Sequence, residues 1–215
     1  MKIVLEKDQN LFFTSDSHYN HSNICRGTSN WGNDQLTRDF QTLEFMNSVI
    51  VNNINSKVGQ NDILVHMGDF SFGGFEKIQE FRDKIVCKNI ILFFGNHDHH
   101  IRRNRENIQS IFTACMDYDM LDVRRPSFRN KGMVDKFGFV CMHFPIASWD
   151  NISKGVIHLH GHVHLPSHLK VGIGRSLDVG VDGNDLDPYS LDEVLNLVKN
   201  QPNKKLQLPR DHHED

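Results

Sequence analysis

Chemically capable side chains gather at the downstream ends of apolar runs in this sequence. Asp16 and His18 follow "LFFTS", and Asp69 follows "ILVHMG". Asn96, His97 and Asp98 follow "IILFFG", and His143 follows "FVCM". His162 and His164 close "GVIHLHGHVH". Carboxylates, an amide oxygen and several imidazoles make a mixed nitrogen and oxygen donor set without thiolates. Such a set suits Mn, Fe, Zn or Ni better than Ca or Mg alone. The donors outnumber the needs of one ion, and two ions sharing a carboxylate would use them fully. Asp16 and His18 are two apart, as are His162 and His164. Each pair shares a face if extended, or serves two neighbouring sites from the loop beyond its strand. Gly68, Gly95 and Gly161 each precede a candidate and predict tight turns with close backbone approach.

The apolar runs read as short strands, being β-branched or aromatic and of strand length. "SLDVGVD" over 176–182 predicts a further strand. Helical spacing connects them. Leu36, Phe40, Leu43, Met46, Ile50 and Ile54 recur every three or four residues, as do Ile78, Phe81 and Ile85. "RENIQSIF" is a weaker third helix. Ser190 and Glu193 stand at capping-box spacing before a fourth, "SLDEVLNLVK". "DYDMLDV" and "GMVDKFGFVCMH" predict a β-hairpin region. The order is β-α-β-α-β followed by mainly β, which predicts an α/β sandwich with a mixed sheet core. In open α/β sheets, functional groups gather outside the carboxyl ends of strands. The candidates stand at such ends.

Composition narrows the function. The 215 residues allow one good core and carry a net charge of −3. Nothing global therefore calls for nucleic acid or an anionic membrane. Residues 101–136 hold eight Arg or Lys (including Arg105) against five acids, a mild surplus that reads as a solvated face. Cys25, Cys87, Cys115 and Cys141 form no C-x-x-C pair and lie in apolar segments, as reduced buried thiols do. "MKIVLEKDQN" lacks the apolar core of a signal peptide, and no run approaches the roughly 18 residues of a membrane helix. A cytoplasmic protein without a membrane partner is expected. Residues 1–198 form the expected domain and 199–215 a polar tail, with His212 and His213 solvated.

D-S-H at 16–18, G-D at 68–69, G-N-H-D at 95–98, His143 and G-H-V-H at 161–164 resemble, in order, the five-motif signature of the calcineurin-like metallophosphoesterases. "FFTSDSHYNHSNI" and "LDVGVD" are similar to a compact bacterial and phage branch of that family. The resemblance implies a four-layer α-β-β-α sandwich and two divalent ions, Mn2+ first, with Fe, Zn or Ni as alternatives. By position, Asp16, His18 and His164 would hold one ion and Asn96, His143 and His162 the other, with Asp69 between. His97 would stabilise a phosphoryl oxygen or protonate the leaving group, and Asp98 would orient it. Two ions about 3.5–4 Å apart would acidify a water for in-line attack on phosphorus.

The resemblance thus implies a metal-dependent phosphohydrolase. A phosphodiesterase on a small nucleotide-like substrate is the first expectation. A nuclease or nucleic-acid end-processing phosphatase is the alternative, and a non-catalytic scaffold the remote one. His21 and Arg26 are expected substrate contacts, since guanidinium pairs bidentately with phosphate. His66, His158 and His160 read as core or supporting residues. His99 and His100 read as solvated loop residues. Phe70 and Phe72 could wall the pocket or stack a base. Loops 19–35 and 99–136, which no periodicity explains, would carry specificity.

Overall fold

The structure, a computed structural model, describes residues 1–104, 106–107, 109–172 and 174–203. Arg105, His212 and His213 lie outside the described residues. Two five-stranded mixed sheets face one another. The first runs β1 (Lys2–Val4), β6 (Tyr118–Pro126), β7 (Val134–Met142), β8 (Ile157–His160) and β9 (Ser176–Asp178). The second runs β10 (Tyr189–Ser190), β2 (Leu11–Thr14), β3 (Ile63–His66), β4 (Asn89–Phe93) and β5 (Ala114–Met116).

Period-two alternation sorts the side chains into two cores. Leu11, Phe13, Val65, Ile91 and Phe93 face Leu121, Val123, Phe139, Leu159 and Leu177 across the space between the sheets. Phe12, Leu64, Ile90 and Leu92 point the other way, onto helices α1 (Leu43–Lys57) and α2 (Gly74–Lys84). Those helices bury Met46, Ile50 and Ile54, and Ile78 and Phe81, at helical spacing. On the outer side of the first sheet the covering layer is thin. There Trp149 packs 5.2 Å from the His158 ring, beside a 3-10 turn over Ile152–Lys154. Helix α4 (Leu191–Val198) adds Leu191, Val194 and Val198 to the inter-sheet core. Its Ser190–Glu193 capping box is formed. Two facing five-stranded mixed sheets with helices packed on them make the expected mixed α/β sandwich. No helix of the described residues is long and apolar enough to cross a membrane.

Three local expectations are corrected. Helix α1 begins at Leu43 rather than Leu36, because the Thr42 side chain caps it by accepting from the Phe45 N–H. Upstream, Arg38 N–H donates to Ile24 O, and Gly27 N–H to Phe40 O. That pairing draws residues 38–40 out of the helix, and Leu36 stays 60% exposed in a 3-10 turn. Around the helix expected over 105–112, the described residues form a five-residue α3 (His99–Arg103) and a 3-10 turn at Gln109–Ile111. Strand β9 stops at Asp178, whose carboxylate accepts from Gly180 N–H and turns the chain into a 3-10 turn carrying Asp182.

Candidate metal centre

Strands β2, β3 and β4 are mutually parallel, as are β7 and β8. Their carboxyl ends deliver five loops to one region. Backbone hydrogen bonds lace those loops together. Asp16 N–H donates to Gly68 O (2.9 Å), His18 N–H to Asp69 O (3.0 Å), Gly161 N–H to His143 O (2.9 Å), and Val181 N–H to Ser15 O (3.1 Å). Gly95 and Gly161 permit the closest approaches. A Cβ at Gly95 would fall on the backbone nitrogen and carboxylate of Asp69, and one at Gly161 on the Ser15 hydroxyl and the Asp16 carboxylate. Both sites reject any larger residue.

Five ligand candidates sit in the left-handed backbone region: Asp16, His18, Asp69, His162 and His164, with φ of 56, 48, 53, 73 and 51°. The i, i+2 pairs are thus turns beyond the strands rather than extended chain. Non-glycine residues there carry strain of order ~1–3 kcal/mol each, which the surrounding loops must hold in place.

The donor atoms converge. His18 Nε2 lies 3.1 Å from His164 Nε2, and Asp16 Oδ1 is 3.9 and 3.7 Å from these two nitrogens. Asn96 Oδ1 lies 3.1 Å from His143 Nε2 and 2.9 Å from His162 Nδ1. Asp69 Oδ2 stands between the groups, 3.6 Å from both His18 Nε2 and His143 Nε2. Asp16, His18 and His164 could hold an ion, as could Asp16, Asp69 and His143.

The rings are oriented from behind. His143 Nδ1 donates to Met67 O at 2.8 Å, which leaves Nε2 as the lone-pair nitrogen. His164 Nδ1 lies 2.6 Å from Asp182 Oδ2. Arg38 grips Asp182 through Nε (2.7 Å) and Nη2 (2.9 Å) and also donates to the carbonyls of Asp16 and Ser17. Burial would raise the Asp182 carboxyl, yet the Arg38 guanidinium and the His164 ring hold it far below the usual carboxylate range. Burial would lower His164, but the Asp182 hydrogen bond and the charges of Asp16 and Asp182 raise it. Residue-by-residue reading passed over Arg38 and Asp182. The signal available was "LDVGVD", whose last residue is Asp182.

The family profile of the calcineurin-like phosphoesterases matches residues 10–213. The chain belongs to this family. A curated relative, the uncharacterized protein MJ1445 of Methanocaldococcus jannaschii, is 25% identical over 194 residues, spanning 88% of this chain and 91% of the relative. The crystal structure of AQ665, a protein of unknown function from Aquifex aeolicus, is similar with a TM-score of 0.61 at 22% identity. That likeness covers 89% of this chain and 100% of the other, and speaks to the fold.

Family membership implies metal-dependent phosphoester hydrolysis, and the donors of this phosphoesterase fit divalent metal. Asp16 Oδ1 and His18 Nδ1 are buried without a hydrogen-bond partner among the described residues. Within the protein alone, burial pushes Asp16 up to about 7 and Asp69 up to about 8, against the pull of His164 and of the His97 N–H respectively. Burial lowers His18 well below its ordinary range and His143 to about 4, so both rings present lone pairs. Buried carboxylates beside neutral imidazoles are a cation's complement.

The remaining candidates divide. The His97 ring is 41% exposed at the rim, with Nε2 4.0 Å from Asp69 Oδ2. Asp98 makes no hydrogen bond to that ring. Its buried carboxylate accepts from the N–H groups of Asp69 (2.8 Å), Phe70 (2.9 Å) and Gly95 (2.8 Å), pinning two ligand loops together. His21 stacks on Phe72 at 3.8 Å and 3°, and Phe72 lies 4.8 Å from His97. Phe70 is core. Arg26 is engaged by Asp39 (2.7 Å) and Thr37, and among the described residues makes no hydrogen bond or ion pair with a ligand candidate. His66 and His158 are buried supports, and His99 and His100 are exposed on α3. Cys25, Cys87, Cys115 and Cys141 are all free.

Proposed function

We propose that the chain hydrolyses a phosphodiester of a small nucleotide-like compound with two divalent ions, Mn2+ first among Fe, Zn and Ni. In this reading Asp16, His18 and His164 hold one ion, Asn96, His143 and His162 the other, and Asp69 stands between. When bound, the pair supplies Lewis-acid neutralisation of phosphoryl oxygens and a water acidified towards neutral pH. The observation that carries the reading is the placement of Asp69 Oδ2 at 3.6 Å from one imidazole of each group.

The chain's own residues do the rest. Asp182 and Met67 O fix the rings of His164 and His143, so their lone pairs are aimed before substrate arrives. His97 stands over the ligand set with its Nε2 free to hydrogen-bond a phosphoryl oxygen or to give a proton to the departing oxygen. The flat pair of His21 and Phe72 walls the same side. A nucleic-acid substrate is less well supported. Arg102, Arg124 and Arg125 of the basic segment are paired with Asp117, Asp122 and Asp192.

The deciding experiment compares bis-p-nitrophenyl phosphate with p-nitrophenyl phosphate in metal-stripped protein after adding Mn2+, Ni2+, Zn2+ or Mg2+. Metal-dependent diester cleavage with a weak salt response is expected. Monoester preference would replace the diesterase reading. Activity on nucleic acid that falls steeply with salt would favour the nuclease. Two bound metals with no turnover of any ester would leave a scaffold.

A further inference from the structure

A 380 Å³ cleft opens beside the ligand set, within the size range of small-molecule sites. Its lining includes the apolar Ile24, Trp31, Leu36 and Val163 and the paired Arg38 and Asp182, with Gln35 and His164 beside them. We propose that this cleft seats the nucleobase of the substrate, with Trp31 as the stacking surface. The inference rests on the phosphoesterase reading above and names the part of the substrate that reading leaves open.

Three observations carry it. First, three large apolar side chains that solvent would disfavour converge on one place: Trp31 is 39% exposed, Leu36 60% and Val163 42%. Contiguous exposed apolar surface beside polar groups marks a binding site. Second, the cleft is continuous with the chemistry. Val163 lies between His162 and His164, and His164 itself forms part of the wall. A ring held there is a short linker away from phosphorus at the ligand set. Third, the guanidinium that lines the cleft, Arg38, is already engaged. The Arg38 nitrogens are all directed at Asp182 and at the carbonyls of Asp16 and Ser17. Among the described lining residues no unengaged guanidinium is left for a second phosphate, which favours a neutral occupant.

Two further features fit a base. The Gln35 side-chain amide makes no hydrogen bond among the described residues, leaving a donor and an acceptor for ring edges. Trp31 is set at 81° to His21, with ring centroids 5.7 Å apart, and His21 is itself stacked on Phe72. The tryptophan is thereby braced rather than loose.

The test reads binding as well as turnover. The protein has two tryptophans, and the other, Trp149, is buried and donates to Val156 O. Intrinsic fluorescence is titrated with thymidine 5′-monophosphate, ribose 5-phosphate and inorganic phosphate, with and without Mg2+. Quenching by the nucleotide alone is expected. Followed by calorimetry, Trp31→Ala should bind the nucleotide about tenfold or more weakly, the scale of one lost base stack. Leu36→Ala, on an exposed side chain, should weaken it a few-fold. Equal quenching by ribose 5-phosphate, or unchanged nucleotide affinity in Trp31→Ala, would overturn the subsite. Cleavage of bis-p-nitrophenyl phosphate without nucleotide quenching removes the subsite and keeps the hydrolase. Quenching at Trp31 with no ester cleaved does the reverse.

Discussion

At the scale of single residues, the centre separates side chains that hold metal from one that does not. Asp69 lies between both histidine groups, whereas His97 reaches the site from an exposed rim. Asp69→Asn is therefore expected to lose bound metal and activity together. His97→Ala should keep its metal and lose turnover by roughly 10²–10⁴-fold, the usual worth of a general acid. Metal content by plasma mass spectrometry, set beside kcat, checks both, and equal metal loss in the two would refute the division of roles. Backbone strain gives a second prediction. His162 holds φ 73° and, apart from its N–H to Asp16, its ring touches only the Asn96 oxygen by hydrogen bond. His162→Gly should leave metal-free stability unchanged, or raise it by up to about 1 kcal/mol, while abolishing metal binding at that position. A loss of more than that in urea unfolding of the metal-free protein would show that the ring's packing on Phe144 and His143 outweighs any relief of strain.

At the scale of elements, the loops matter more than the strands they leave. Asp98 ties the loop after β3 to the loop after β4 through three buried N–H groups. Asp98→Ala leaves those donors unpaired, at about 1–3 kcal/mol each before relaxation. The expected result is faster hydrogen exchange at the Asp69, Phe70 and Gly95 amides, with metal affinity falling although no ligand has changed. Unchanged exchange would mean that the loops are held without it. The order of strand-end motifs was legible because each follows an apolar run that ends abruptly. The role of Asp98 was not. Its partners lie up to 29 residues upstream, and only the parallel register of β3 and β4 brings them together. Likewise the apolar spacing from Leu36 to Ile54 suggested one helix, because periodicity does not reveal a cap. Thr42, together with the pairing of residues 24–27 against 38–40, shortened it.

At the scale of the whole molecule, packing decides which histidines stay neutral. His158 is buried on the outer face of β8 under Trp149. Its Nδ1 lies 3.1 Å from Val140 O and its Nε2 accepts from Ile146 N–H, so the neutral ring is fully satisfied. Burial first, then the neighbouring His160, pushes its pKa down to about 4. The unfolded chain takes up this proton near pH 6.5, so stability is retained above that pH and falls as pH drops from about 6.5 towards 4. The contribution is of order ~3 kcal/mol. NMR titration of the His158 ring should show a midpoint near 4, and a midpoint near 6.5 would show the ring open to water.

The sequence alone determined the donor types, their order, their places after strands and the family they mark, because each is a local pattern of polarity and spacing. Tertiary structure decided which donors meet. Arg38 and Asp182, 144 residues apart, orient His164 only because the two sheets bring their loops to one place. Arg26, the arginine singled out from its surroundings in the chain, is engaged by Asp39 instead. Trp31, Leu36 and Val163 likewise form one cleft across more than a hundred residues of chain. Periodicity records which face an element buries, but not what the opposite loop will set against it.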